Sequence, residues 1–156
     1  MVDKMSSRAD FGILLGLAFQ TFSDELRRTL HERGFDDLGR SYGYVFRALA
    51  AGPLRLHEIS PGLGMTDQGA MKIIDEMAER GYVERRPDPA DGRAKLISLA
   101  RRGRQALVAA RRFHGAYERR LGRTLGAPDV ATTRRVLEAL VGTTGIDAAN
   151  ARLRAF

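Results

Sequence analysis

Apolar residues near the start of the chain recur every three or four positions. From Phe11 to Leu30 this spacing predicts an amphipathic helix that ends near Gly34, preceded by a tail at residues 1–9. Further apolar residues, among them Phe19, form a second face on the same helix. We therefore expect the helix to be covered on two sides, by its own domain and by a second copy of the chain. A polar loop follows at 35–40, and a second helix is predicted at 41–51.

The clearest helix of the pattern runs from Thr66 to Arg80. Thr66 is a good N-cap, and Gly81 supplies the left-handed residue that ends a helix. The segment before it contains Pro61, and because proline cannot continue a helix interior, we expect helix there only at about 55–60. The predicted buried stripe of the 66–80 helix is Ala70, Ile73, Ile74 and Met77, and its predicted outward residues are Gln68, Gly69, Met71, Lys72 and Asp75.

After Gly81 the apolar period changes from 3.6 to 2. Residues 82–86 and 95–99 are predicted strands. The segment between them contains two prolines, which cannot donate to a strand ladder, so we expect it not to be strand. Asp91-Gly92 favours a turn, which predicts a β-hairpin with Arg93 at its tip. A long helix at 101–125 and a last helix with Pro128 in its first turn, fading after Gly145, complete the pattern.

Composition narrows the class of protein. A chain of 156 residues fits one domain, and its net charge is +7. Eight basic but only three acidic residues lie in 80–104, whereas residues 1–79 are net acidic. A concentrated basic surface suits an anionic polymer or a membrane surface, although an arginine-rich coding bias would produce the same charge.

Several classes of site are excluded or unsupported. The absence of cysteine rules out disulfides, thiolate metal sites and thiol redox switches. The three histidines do not approach a metal-binding spacing, and no Gly-x-Gly-x-x-Gly motif occurs. The longest apolar run has nine residues, too few to cross a bilayer, and it lacks the features of a signal peptide. We therefore expect a cytoplasmic protein that is not an enzyme and has no cofactor.

Short helix, turn, capped helix and basic hairpin follow one another in the order of a winged helix–turn–helix. The predicted fold class is mainly α (α+β), with a β-hairpin wing flanked by N- and C-terminal dimerisation helices. A helix fits the major groove of DNA, and an arginine on the hairpin can enter the minor groove, where the potential is most negative. The alternative is that these arginines form the solvated rim of a protein-interaction module.

The run from Gly64 to Arg86 resembles the recognition helix and first wing strand of the MarR family of transcriptional regulators. Residues 87–95 resemble the wing of that family, with its Asp-x-Arg motif at Asp91-Gly92-Arg93, and residues 99–104 are similar to the segment that leads into its long fifth helix. The resemblance implies that Arg93 is the minor-groove arginine and that Asp91 holds it through a carboxylate–guanidinium pair. The implied DNA-binding residues are Thr66, Asp67, Gln68, Gly69, Met71 and Lys72 on the recognition helix and Arg85, Arg86, Asp91, Arg93 and Lys95 on the wing.

Two of these positions depart from the family pattern. Asp67 lies where a basic or neutral residue would suit nearby phosphates, so it either costs affinity or accepts a hydrogen bond from cytosine. Met71 lies where a small hydroxyl residue is usual, which suggests an apolar contact with a thymine methyl group.

The resemblance also implies a homodimer, and the apolar stripes of the outer helices support one independently. The expected domains are an N-terminal dimerisation helix at 1–36, a winged helix–turn–helix domain at 37–103 and C-terminal dimerisation helices at 104–156. The expected function is that of a sequence-specific repressor on a pseudo-palindromic operator of double-stranded DNA. The alternatives are a protein-binding winged helix and a nucleoid-type binder without sequence preference.

Relatives in the family often release DNA when a small aromatic or phenolic effector enters a cleft between the dimer helices and the winged domain. The aromatic residues of this chain either line such a cleft or belong to the core, and the second interpretation is the simpler one. They are Phe11, Phe19, Phe22, Tyr42, Tyr44, Phe46 and Tyr117, together with His57.

Overall fold

The structure, a computed structural model, describes residues 9–142 and divides into two compact units, one reaching to Asp36 and one beginning at Asp37. The first unit contains helix α1, Phe11–His31, which begins where the sequence predicts and ends three residues before Gly34. Leu30 is its one buried residue, and large apolar side chains such as Phe11 and Phe19 are exposed.

The second unit contains five α-helices and three strands among its described residues. The strands form an antiparallel sheet in the order β1-β3-β2. This combination confirms the predicted fold class, a mainly helical winged helix–turn–helix. The elements in chain order are α2 Tyr42–Ala48 with a 3-10 turn at Leu49–Ala51, β1 Leu54–Arg55, α3 Leu56–Leu63, α4 Asp67–Glu79, β2 Val83–Asp88, β3 Asp91–Leu99, α5 Arg101–Leu125 and α6 Ala127–Val141.

Helix α3 continues through Pro61, so the prediction that helix stops at about residue 60 is wrong. Pro61 lacks an N–H, and its ring faces the carbonyl of His57 one turn earlier. Both residues lie on the exposed side of α3, where water can satisfy that carbonyl. The buried side of the helix carries Ile59 and Leu63, whose packing outweighs the lost hydrogen bond.

The wing also departs from the prediction. Pro87 lies inside β2 and is paired with Lys95, and β3 begins at Asp91, so the segment 87–94 is largely strand. The turn is at residues 89–90 rather than at Asp91-Gly92. Proline is tolerated because β2 is an edge strand, and the register shifts immediately after Pro87.

Strand β1 consists of Leu54 and Arg55 alone, and the sequence pattern did not predict it. It pairs with Ile97 and Leu96 in the middle of β3. Strand β3 is therefore hydrogen-bonded on both sides near its C-terminal half, whereas the outer wing is a two-stranded ribbon.

The core of the second unit lies beneath α4. Ala70, Ile74 and Met77 are fully buried, as predicted, while Ile73 is half-buried. An aromatic cluster packs beside them: the rings of Tyr42, Phe46 and Tyr82 meet edge to face with centroids 5.6–6.3 Å apart. Edge-to-face pairs of this kind add stability beyond the area that they bury.

Helix α5 has the bounds that the sequence predicts, whereas α6 begins as predicted, with Pro128 in its first turn, but ends at Val141 rather than near Gly145. Gly103 of α5 backs directly onto the carbonyl of Tyr82. Helix α6 has no buried residue, and its apolar side chains Val136 and Leu140 are exposed. The tail predicted at residues 1–9 lies mostly outside residues 9–142. Within that range, no helix is both long and apolar enough to cross a membrane.

Candidate nucleic-acid interface

The N-terminus of α4 is fixed by two side chains. The Thr66 hydroxyl accepts a hydrogen bond from the N–H of Gly69 over 3.2 Å, which confirms the predicted N-cap. The Asp67 carboxylate accepts a short hydrogen bond from the hydroxyl of Ser60, a buried residue of α3. This second contact locks the two helices of the motif together, and the sequence pattern did not predict it. It also occupies one oxygen of the carboxylate that sequence analysis assigned to DNA.

Beyond Asp67, the face of α4 that points away from the core carries the predicted outward residues. Gln68, Met71 and Lys72 are exposed, and Gly69 is half-exposed. Within residues 9–142, the side chains of Gln68 and Lys72 take part in neither a hydrogen bond nor an ion pair. Both are therefore available to a partner in solution.

Arg85 and Arg86, the two arginines of β2, are engaged in ion pairs. Arg85 is half-buried and forms a short ion pair with Asp75 of α4, so it connects the recognition helix to the wing. Arg86 pairs with Glu84 at 2.8 Å on the exposed surface of the strand. Each arginine is therefore partly neutralised before any ligand approaches.

The outer wing presents Asp91, Arg93 and Lys95 to solvent. The implied carboxylate–guanidinium pair between Asp91 and Arg93 is not formed. Instead, the Asp91 carboxylate accepts a hydrogen bond from the backbone N–H of Arg93 over 3.1 Å. The carboxylate thus shapes the start of β3, and the Arg93 side chain remains exposed.

A buried carboxylate, Asp88, anchors the wing turn. It accepts hydrogen bonds from Nε of Arg55 at 2.7 Å and from the N–H of Ala90 at 2.8 Å. The Ala90 N–H first, and the Arg55 guanidinium second, hold the pKa of Asp88 below its ordinary value. Nothing in the sequence pattern indicated this pair, because the partners are 33 positions apart and β1 was not predicted.

A second polar cluster lies at the C-terminal end of α4. The Arg102 guanidinium donates two hydrogen bonds of 3.0 Å to the Asp37 carboxylate and stacks over the Tyr82 ring, 4.6 Å from its centroid. Arg80 donates to the Asp37 carbonyl and forms an ion pair with Glu76 at 2.8 Å. Burial raises the pKa of Asp37, but hydrogen bonds from Tyr82 and Arg102 lower it by more, so the pKa lies below its ordinary value.

These contacts divide the basic residues near the wing into two groups. Arg102 is held by Asp37, and Arg104 donates to the carbonyl of Leu99, so both are structural. Among the basic residues of α4, the wing and the first turn of α5, the exposed side chains that take part in neither an ion pair nor a hydrogen bond within the described residues are those of Lys72, Arg93, Lys95 and Arg101.

A helix–turn–helix followed by a basic hairpin defines the winged-helix class of DNA-binding fold, and comparison with known proteins shows which family this part of the chain resembles. A family model described as "MarR family" matches residues 36–94. The chain is 24% identical to the exopolysaccharide II synthesis transcriptional activator ExpG of Rhizobium meliloti, over 76% of this chain and 61% of that protein. It is 35% identical to an uncharacterized HTH-type transcriptional regulator of Mycobacterium leprae, over 38% of this chain and 54% of that protein. The matches thus span only 54–61% of these relatives.

Solved structures agree on the fold. The apo form of MarR from E. coli has a TM-score of 0.64 at 21% identity, covering 86% of this chain and 98% of that one. A MepR mutant of S. aureus, bound to an oligodeoxyribonucleotide, has a TM-score of 0.63 at 17% identity and covers 86% and 97%. The resemblance found in the sequence is thereby confirmed. The chain has a winged helix–turn–helix fold and resembles the MarR family over residues 36–94, and the relatives named above are described as transcriptional regulators.

Proposed function

We propose that the chain binds double-stranded DNA with sequence specificity, with α4 in the major groove and the wing in the minor groove. One observation carries the proposal: the outward face of α4 and the outer wing present uncommitted donors, Gln68, Lys72, Arg93 and Lys95, while the neighbouring charges are used to hold the scaffold. Donors of these types match base edges and phosphates. The oligonucleotide-bound MepR structure gives a precedent for the fold.

The residues take different roles in this proposal. Gln68 has the geometry to form a bidentate pair with adenine, and Lys72 reaches guanine or a phosphate. Arg93 enters the minor groove, and Lys95 and Arg86 follow the phosphate backbone. The contacts of Asp67 with Ser60 and of Arg85 with Asp75 favour positioning roles for these two residues over direct base contacts.

We further propose a homodimer that uses helices of residues 1–36 and 104–156 and leaves 37–103 for DNA. The support is the apolar surface that each unit exposes: on α1 it includes Phe11 and Leu17, and on α6 it includes Leu137 and Leu140. Groups of exposed apolar side chains of this kind mark protein–protein interfaces. Two-fold symmetry then requires a pseudo-palindromic operator with half-sites about one helical turn apart.

We propose repression as the regulatory effect, because a dimer bound across a promoter excludes polymerase from the same duplex. The proposed effector is a small aromatic or phenolic anion, as the family resemblance implies. Such an anion acts by its different affinity for DNA-competent and DNA-incompetent states of the dimer. Tyr42, Tyr44 and Phe46 are buried in the core, so they are not proposed as effector-binding residues.

The test begins with selection of bound sequences from a random DNA pool, followed by salt titration of binding to the selected duplex. A regulator enriches a two-fold symmetric sequence, and its affinity falls steeply with salt, with a slope near −0.9 per phosphate contact. Failure to bind DNA favours a protein-interaction module, and binding that unrelated DNA competes away equally favours a nucleoid-type binder.

Assembly and regulation need separate measurements. Sedimentation at micromolar concentration should give a dimer, and a monomer there overturns the two-fold operator. A reporter with the selected site across its promoter should fall in expression. Titration with 4-hydroxybenzoate should release the selected duplex, with cyclohexanecarboxylate, which lacks an aromatic ring, as the control.

A further inference from the structure

The exposed surface of α4 has a polar row with an apolar edge on each side. Gln68 and Lys72 are four positions apart and lie one above the other on the same face. At 3.6 residues per turn, Met71 lies about 60° around the helix from Gln68, and Gly69 lies about 60° beyond Lys72 on the opposite side. The two edges therefore flank the row of hydrogen-bonding side chains.

Methionine side chains occupy both edges. Met71 is 37% exposed, although it stands in the second turn of the helix. Met65, which precedes the N-cap, is 45% exposed. Its side chain covers the position of Gly69: a Cβ atom placed at Gly69 would lie 3.5 Å from Met65 Cβ and 3.8 Å from its Sδ. Because Gly69 has no side chain, the Met65 side chain forms the surface of the helix on the Gly69 side.

The other side chains of this surface are already committed. Thr66 caps Gly69, Asp67 accepts from Ser60, and Asp75 pairs with Arg85. Two hydrogen-bonding groups and two apolar groups are left to meet a partner. If this face of the helix lies in the groove of DNA, the large apolar side chains on both of its edges are buried most favourably against apolar groups of the bases.

Among the base edges of the major groove, one group alone is apolar: the C5-methyl of thymine. An unbranched, polarizable thioether adapts to such a methyl group without a fixed geometry. We propose that Met71 and Met65 each pack against a thymine methyl, so that the operator half-site carries thymines on both sides of the bases that Gln68 and Lys72 contact. The inference rests on the proposed DNA binding and adds the base that the apolar edges select.

Uracil substitution tests this directly, because it removes the methyl group and leaves the hydrogen-bonding edge unchanged. Each thymine of the selected operator is replaced in turn by uracil, and the affinities of the wild-type protein, Met71→Ala and Met65→Ala are measured. Burial of one methyl group corresponds to about 0.8 kcal/mol, or about fourfold in affinity. We expect a penalty of about that size at one thymine for each methionine, and its loss in the matching alanine variant.

Two variants serve as controls. Lys72→Ala should weaken the thymine and uracil duplexes equally and so retain the penalty. Met71→Leu, which remains apolar, should retain it as well. Thermal unfolding of Met71→Ala should match that of the wild type, because the side chain is exposed in the folded protein.

The inference is overturned if no single uracil weakens wild-type binding, or if the penalties are unchanged in both alanine variants. If one variant alone removes a penalty, the assignment holds for that methionine and fails for the other. Failure to select any operator would instead contradict the proposed function itself, so the two failures are distinguishable.

Discussion

Arg55 donates from Nε to the Asp88 carboxylate over 2.7 Å, across 33 positions of sequence. The pair joins the two-residue strand β1 to the end of β2, where the hairpin turns. Because an isolated two-stranded ribbon is marginally stable, this contact and the central position of β3 determine how well the outer wing is held. Arg55 therefore serves the wing as a structural cation rather than as a ligand for phosphate.

Asp88→Asn should weaken DNA binding several-fold for all sequences, because the wing turn loses its charged anchor while Arg93 and Lys95 remain. Fluorescence anisotropy with the selected duplex and with unrelated duplexes measures the effect. The matched control is Asp91→Asn on the same wing, since an asparagine side chain can still accept the N–H of Arg93. Equal losses in the two variants would contradict the anchoring role.

Stability should fall in acid, and Asp88 should contribute to the fall. Its pKa in the folded protein is below the ordinary value of 3.8, so the ionised carboxylate favours folding above that pH. The contribution is lost as the pH falls through the lowered pKa, because the unfolded chain takes up the proton first. Denaturant unfolding between pH 5 and pH 3 should show a shallower loss for Asp88→Asn than for the wild type. An identical slope would remove Asp88 from the explanation.

Gly103→Ala should be strongly destabilising, because the added Cβ would overlap the carbonyl oxygen of Tyr82. This obstacle is backbone, so α5 would have to move away from the start of β2. Gly122→Ala in the same helix is the control: nothing lies within 4 Å of its added Cβ, and alanine should stabilise the helix by up to about 1 kcal/mol. Thermal melts of the two variants should therefore shift in opposite directions.

Thr66→Ala should lower the free energy of unfolding by about 1 kcal/mol, since the Gly69 N–H loses its capping oxygen. Thr66→Ser keeps the hydroxyl and should behave nearly as the wild type. Denaturant titration distinguishes them, and a serine variant as unstable as the alanine variant would show that the methyl group matters rather than the cap.

Arg93→Ala should weaken binding to every duplex and reduce the magnitude of the salt slope by about 1, because one cation fewer displaces counterions from the duplex. Arg86→Ala should change the slope less, because Glu84 already pairs with Arg86 at 2.8 Å. Gln68→Ala should alter sequence preference instead. An unchanged slope in Arg93→Ala would contradict the role of the wing.

Local patterns in the sequence were sufficient to predict most features of the helices. The Thr66 cap, the spacing of Ala70, Ile74 and Met77 and the bounds of α5 follow from neighbouring residues, and the structure confirms them. The predictions at Pro61 and Pro87 were wrong for the same reason. Whether a missing N–H matters depends on which side of an element faces water or lacks a neighbouring strand, and this is decided by tertiary packing.

The features of the candidate interface likewise fall into those that local sequence predicts and those that depend on tertiary packing. Exposure of Gln68, Met71 and Lys72 follows from helical periodicity, whereas the pairs Ser60–Asp67, Asp75–Arg85 and Arg55–Asp88 depend on the fold. The family resemblance assigned Arg85 and Asp67 to DNA, because their intramolecular partners cannot be read from the sequence. Charge is therefore a good guide to the location of the interface and a poor guide to which of its cations remain available.

Helix α6, which buries none of its own residues, has a consequence for dosage. If two protomers must associate before either can grip a symmetric site, occupancy at low abundance rises with the square of the protomer concentration. A twofold change in synthesis would then change the concentration of the DNA-binding dimer almost fourfold. The cellular concentration of the protein would therefore itself regulate occupancy of the site.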